Sequence, residues 1–157
     1  MQHRMKEFMM SKEAIEAFLL RTQVGRVSTI NEDGYPYTVA VHFIFMKDNV
    51  YFHGLPKGQK LDNIRRCSKV CFEADEMTGL MLDRLVIPCK ADTAYESVVI
   101  MGTAEVLTDP QEKKIVFSEL IKKYAPQYLD MGIPENMISG TAVVRIESKN
   151  VTGKYHE

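Results

Sequence analysis

Two periods alternate along the chain. Between Ser11 and Arg21, Ile15, Phe18 and Leu19 recur at i, i+3 and i+4, which puts them on one helical face, and Ser11 is suited to cap the start. From Val24 to His53 the period drops toward two. The runs VGRVSTI, YTVAVHFIF and VYFH are rich in β-branched and aromatic residues, with NEDGYP and MKDN between them. Asn31 to Gly34 carries residue types that tolerate positive φ, and Lys47 to Asn49 is a second polar turn, so three consecutive antiparallel strands are expected. GLPKGQK then reads as a loop, LDNIRR as a short helix with Leu61 and Ile64 on one face, and KVCFEA as a fourth strand. Asp75 to Asp92 reads as irregular. Tyr95 to Leu107 is a long strand in which Gly102 permits a bulge or bend. Asp109 and Pro110 open a helix that runs to Tyr124 with Ile115, Phe117, Leu120 and Ile121 apolar. A Pro- and Gly-punctuated stretch follows to Gly140, and TAVVRIES is the last strand. The sum is a mainly β chain: about six strands in a small antiparallel barrel with flanking helices. We read residues 1–157 as one domain, with a helical segment over 1–22 and a helical insertion over 109–138.

Composition narrows the function classes. The 157 residues are 45% apolar and 26% charged, an ordinary globular balance, and the net charge of −1 gives no global case for nucleic acid or an anionic membrane. The longest apolar runs, such as Val39 to Met46 around His42, fall short of the roughly 18 residues that span a bilayer. The first residues are short and mixed in charge, without the pattern of a secretory signal, so a cytoplasmic location is expected. Cys67, Cys71 and Cys89 form neither a disulfide framework nor a zinc pattern, and no metal is assigned. There is no Trp, and the ten Met suit a pliable core or pocket wall.

The most informative local chemistry is His53, Gly54, Lys57, Gly58 and Lys60, at the junction of a strand with a short helix. Glycines let a backbone approach an anion, a helix start presents unpaired N–H groups, and lysines add charge. The spacing is not that of a P-loop, and no GxSxG elbow is present. On these residues alone, a phosphate cradle and a solvated turn both remain open. His42 alternates with apolar neighbours and reads either as a core histidine or as a ligand contact. Arg26, Ser28 and Thr29 on the first strand read either as ligand contacts or as outward polar positions. Arg65, Arg66 and Lys69 form a small basic cluster after the loop, too small to argue for nucleic acid.

Four segments, VGRVSTINEDGYPYTVAVHFIF, VYFHGLPKGQKLDNIRRCSKVCFEAD, TAYESVVIMGTAEVLTDPQEK and VRIESKNVTGK, together resemble the flavin-binding split barrel superfamily of the pyridoxamine phosphate oxidases. The likeness is nearest to its nitroimidazole-resistance branch. The resemblance implies a six-stranded antiparallel split barrel holding FMN at a homodimer interface, with the phosphate on the loop and the ring against strand backbone. By position it makes Lys60 the principal phosphate cation, Gly58 the close-approach backbone and His53 a neighbour that assists proton delivery. Phe52, Gly54 and Leu61 flank them. Tyr37, Thr38, Val39, Ala40, Val41 and His42 lie on the strand beside the flavin, and Ser97 reaches it from the other subunit. The phosphate oxidases place Arg and Lys on that strand, where Tyr37 and His42 stand here. Their C-terminal Trp and Arg are also missing, which argues against a true pyridoxamine phosphate oxidase. The expected activity is electron transfer from reduced FMN to a nitroaromatic or other conjugated small molecule. The alternatives are a non-catalytic flavin carrier or sensor, and a split barrel that holds haem or a deazaflavin.

Overall fold

The computed structural model describes residues 7–82, 87 and 91–157. Helix α1 (Lys12–Arg21) is capped by Ser11, whose hydroxyl accepts from the Ala14 N–H at 3.2 Å. Strands β1 (Val24–Ile30), β2 (Pro36–Met46) and β3 (Asn49–Gly54) follow, then helix α2 (Gln59–Arg66) and strands β4 (Lys69–Met81) and β5 (Asp92–Val106). Helix α3 (Pro110–Tyr124) starts at an Asp109 cap with Pro110 in its first turn, and a 3-10 turn (Pro126–Met131) and short helix α4 (Glu135–Gly140) lead to β6 (Ala142–His156). All pairings among the named strands are antiparallel, and they close a barrel in the order β1-β2-β3-β6-β5-β4. Among the described residues no helix is long and apolar enough to cross a membrane.

Two apolar clusters hold the fold. The barrel interior is filled by Phe43, Phe52, Phe72, Val27, Ile100 and Ile146, all without exposed area, and α1 closes it with Phe18 and Leu19. The second cluster lies outside the wall, where α3 buries Val116 and Leu120 against Ile44, Tyr51 and Val143. Because β2 is covered on both faces there, Phe43 and Ile44 are both buried, and strict alternation disappears.

Two strands are longer than their sequences suggest. Residues 75–81, expected to be irregular, continue β4 as a ribbon paired with β5, with a register shift between Met77 and Gly79. Their side chains are mostly exposed, so pairing rather than burial fixes them, and they carry no buried-strand pattern. The expected irregular stretch over 83–86 and 88–90, with Cys89, lies outside the described residues. Strand β6 runs past Ser148 to His156 for the same reason. A bulge opposite Gly102 does occur, carried by β6: Met101 pairs with Asn150 and Gly102 with Ser148, leaving Lys149 unmatched.

Candidate functional site

The loop between β3 and α2 is held from three directions. Gly58 begins α2 at φ +134 and ψ 162, a backbone region open essentially to glycine, and its carbonyl accepts from Leu61 at 2.9 Å and Asp62 at 3.1 Å. Leu61 and Ile64 plug into the barrel core. Asn63, 3% exposed, donates from Nδ2 to Thr29 Oγ1 at 3.0 Å and Asn31 Oδ1 at 2.9 Å, and Arg66 donates to the Ile30 carbonyl. Buried amides and a guanidinium thus tie α2 to β1 and fix where its first turn points.

Lys60 occupies that first turn. Its Nζ lies 4.7 Å from the centroid of the Phe52 ring, and among the described residues no carboxylate forms an ion pair with it. Burial holds its ammonium below the usual lysine range. Gly54 lies beside this ammonium: a Cβ built there would stand 3.7 Å from Nζ, an ordinary contact. Phe43 pairs with Phe52 inside the barrel, so the next residues outward, His42 and His53, project on the outer face side by side. Helix α3 braces both: Tyr124 stacks on His42 at 4.5 Å, and Phe117 meets His53 edge-on at 6.1 Å. His53 is exposed by area, yet its ring is crowded by these neighbours. Burial first, then the nearby His42 and Lys60, holds its imidazole below the usual value of 6.5.

An open strand edge borders these side chains. Residues Pro36 to His42 of β2 pair with β1, whereas pairing to β3 begins only at Phe43. The other edge of that segment keeps backbone N–H and C=O groups without a strand partner. Thr38, Ala40 and His42 are exposed beside it, Tyr37 and Val39 are half-buried, and Val41 packs inside the barrel. Phe52 and Leu61 are also interior, so they offer backbone groups only.

Other expected positions fall elsewhere. His42 is exposed rather than a core residue, because the buried positions around it follow from helix cover as well as from the barrel interior. Arg26 pairs with Glu73 at 3.1 Å and with Asp75, Ser28 shares a 2.8 Å hydroxyl contact with Thr38, and Thr29 is buried under Asn63. Ser97 pairs with Asp75 and Lys154, at the far end of β6 from Val143, the partner of His53. Within a single chain Ser97 does not reach the loop. Clefts of about 660 Å³ beside Asn31 and Asp62, and about 630 Å³ beside Tyr95 and His156, do not have Lys60 in their lining. Lys60, His53 and His42 sit on an open outer face instead.

Sequence reasoning missed Tyr124. At Phe43 strand β2 has left β1, and the Tyr124 hydroxyl replaces that partner: it accepts from Phe43 N–H at 2.9 Å and faces the carbonyls of Gln23 at 2.7 Å and Phe43 at 2.8 Å. Tyr124→Phe strands the Phe43 amide and is expected to cost about 1–3 kcal/mol in chemical denaturation. A loss below about 0.5 kcal/mol would mean that water restores the bond.

The model of the family described as pyridoxamine 5'-phosphate oxidase matches residues 11–155. The chain belongs to this family. Other pyridoxamine 5'-phosphate oxidase-like barrels share its fold at low identity. A candidate 5-nitroimidazole antibiotic resistance protein from Bacteroides thetaiotaomicron is 22% identical, with TM-score 0.83 over 94% of this chain and 86% of its own. The flavocytochrome Anf3 from Azotobacter vinelandii is 21% identical, with TM-score 0.86 over 99% and 72%. An FAD-binding protein from Mesorhizobium loti is 21% identical, with TM-score 0.67 over 95% and 97%. No curated protein matches the chain.

His53 has a pH signature that does not depend on family. An imidazole with a lowered folded pKa contributes stability that is present above about 6.5 and is lost as the pH falls through the lowered value. A bound anion reverses this by favouring the protonated ring. Sulfate, a dianion throughout this range, is expected to raise the melting temperature more at pH 6 than at pH 8, and His53→Gln to flatten the difference. An equal sulfate effect at both values would remove His53 from the anion site.

Proposed function

We propose that this chain is a flavoprotein that holds FMN with its phosphate on the 53–60 loop and passes electrons from reduced FMN to a nitroaromatic or other conjugated small molecule. One juxtaposition carries the reading: a half-buried ammonium with no carboxylate partner among the described residues stands beside a strand edge that lacks a strand partner. A phosphate satisfies the first, and the hydrogen-bonding rim of a planar ring satisfies the second. The flavocytochrome and FAD-binding neighbours support a bound flavin.

Bound flavin supplies the two-electron chemistry. The chain's own residues have narrower tasks. Lys60 and the backbone at Gly58 bind phosphate, and the edge of Tyr37 to His42 orients the ring. Reducing a nitro group consumes protons, and the imidazole nitrogen of His53, beside the ring edge, relays them to the acceptor from solvent.

We further propose a homodimer. Exposed Met101 and half-buried Val99 give the outer face of β5 an apolar patch suited to a two-fold contact. Such a contact would also carry Ser97 toward the partner's open face.

The test is the visible spectrum of the purified protein, with the released chromophore identified after denaturation. FMN bands that bleach on reduction and recover faster with a nitroaromatic than with oxygen alone are expected. Released FAD would keep the flavin and replace FMN. Flavin without turnover would make the chain a carrier, and a haem band without flavin, or a colourless protein that ignores added FMN, would overturn the proposal.

A further inference from the structure

A second chemical site lies at the junction of α1, β2 and the end of α3, and it does not depend on the flavin reading. Lys123 lines a cleft of about 230 Å³ with Leu20, Ile44, Phe45, Met46, Glu119 and Lys122. That volume admits a molecule of roughly eight heavy atoms. The Lys123 amine is drawn into this junction by two weak partners: it donates to the Leu19 carbonyl at 3.1 Å and lies 4.1 Å from the centroid of the fully buried Phe43 ring. Neither neutralises a charge. The one carboxylate lining the cleft, Glu119, pairs with Lys122 at 3.2 Å, while the β2 and α1 residues facing the cleft, Ile44, Phe45, Met46 and Leu20, carry no ionisable group. Tyr124, whose ring centroid is 5.5 Å from the amine, has its hydroxyl engaged at Phe43. Burial brings the pKa of this amine down to about 8, so a larger share of it is in the neutral, nucleophilic form than on an exposed lysine.

We propose that Lys123 is a carbonyl-reactive amine that captures small apolar aldehydes in this cleft as an imine. The ammonium first gives a proton to solvent. The freed Nζ lone pair attacks the carbonyl carbon, and a proton moves from nitrogen to oxygen to give a carbinolamine. The C–O bond then breaks, water leaves, and C=N forms with no net oxidation or reduction. The lining selects the aldehyde: Leu20, Ile44, Phe45 and Met46 favour an aryl or short alkyl group and offer little to a polyhydroxylated or anionic one.

The test is reductive trapping on the full chain, with benzaldehyde and sodium cyanoborohydride and site-by-site peptide mass spectrometry. Lys123 is expected to label about tenfold faster than the exposed Lys12, Lys47 and Lys122, with a rate that rises through a midpoint near pH 8. Glyoxylate, a small anionic aldehyde, is expected to show no such preference. Lys123→Arg should remove the fast site, while the wild-type rates stand without any variant. Labelling of Lys123 no faster than the exposed lysines would overturn the proposal. Equal preference for glyoxylate would overturn the apolar selectivity.

Discussion

Replacing Lys60 with Gln is expected to weaken FMN binding roughly 10- to 100-fold, the scale of one charge-assisted hydrogen bond to a phosphate, worth about 1.5–3 kcal/mol. Riboflavin, which has the same ring and no phosphate, should bind parent and variant equally. Quenching of flavin fluorescence in titrations of both ligands measures the pair. Stability should change little, because Lys60 is held below its ordinary pKa by burial and, among the described residues, has no carboxylate to leave behind. What the variant loses in the folded state is the contact with the Phe52 ring, about 0.5–1 kcal/mol. An equal loss of FMN and riboflavin would show that Lys60 shapes the site without touching phosphate.

The second large effect is structural. A Cβ at Gly102 would lie 2.4 Å from the Glu147 carbonyl oxygen and 2.8 Å from Ile146 Cγ2. The backbone of β6 has nowhere to retreat there, since Glu147 pairs with Asn49 on one side and Thr103 on the other. Gly102→Ala is therefore expected to cost about 3 kcal/mol and to lower the melting temperature by roughly 10 °C. Gly79, also on the sheet, has nothing within 4 Å of its built Cβ, and Gly79→Ala should leave the midpoint within about 2 °C. Similar melting of the two variants would mean that the bulge at Lys149 absorbs the added methyl.

These two sites differ in how far the sequence announces them. The Gly and Lys spacing of the loop was legible because both residue types serve a local need: Gly58 supplies a φ of +134 and Lys60 stands within the first turn of α2. Strands β1 to β3 were equally plain, since the turns between them contain Gly34 at φ +84 and Lys47 and Asp48 at +53 and +59. What escaped depends on distant partners. DEMTGLM and KNVTGKYH are mostly exposed and polar and become strand only because β5 lies beside them. The position of His42 was ambiguous because helix cover buries Ile44 on the outer face as fully as the barrel buries Phe43. Nothing local marks Tyr124 as the substitute partner of an amide 81 residues away. The open edge of β2 was likewise visible only once the β3 register was known, although the loop that borders it was not hidden.

The place of β6 in the barrel sets a constraint on how the molecule is made. It is the last strand in chain order, yet it lies between β3 and β5 and pairs with both. Until it is in place, β3-β2-β1-β4-β5 is an open five-stranded sheet with two unpaired edges, including that of the apolar β3. Closure joins residues about a hundred positions apart, as between His53 and Val143, so it is a late and entropically costly step. During synthesis the nascent sheet is therefore most prone to pair with another chain while it waits for residues 142–156, and a chaperone that shields the β3 edge would act in that interval.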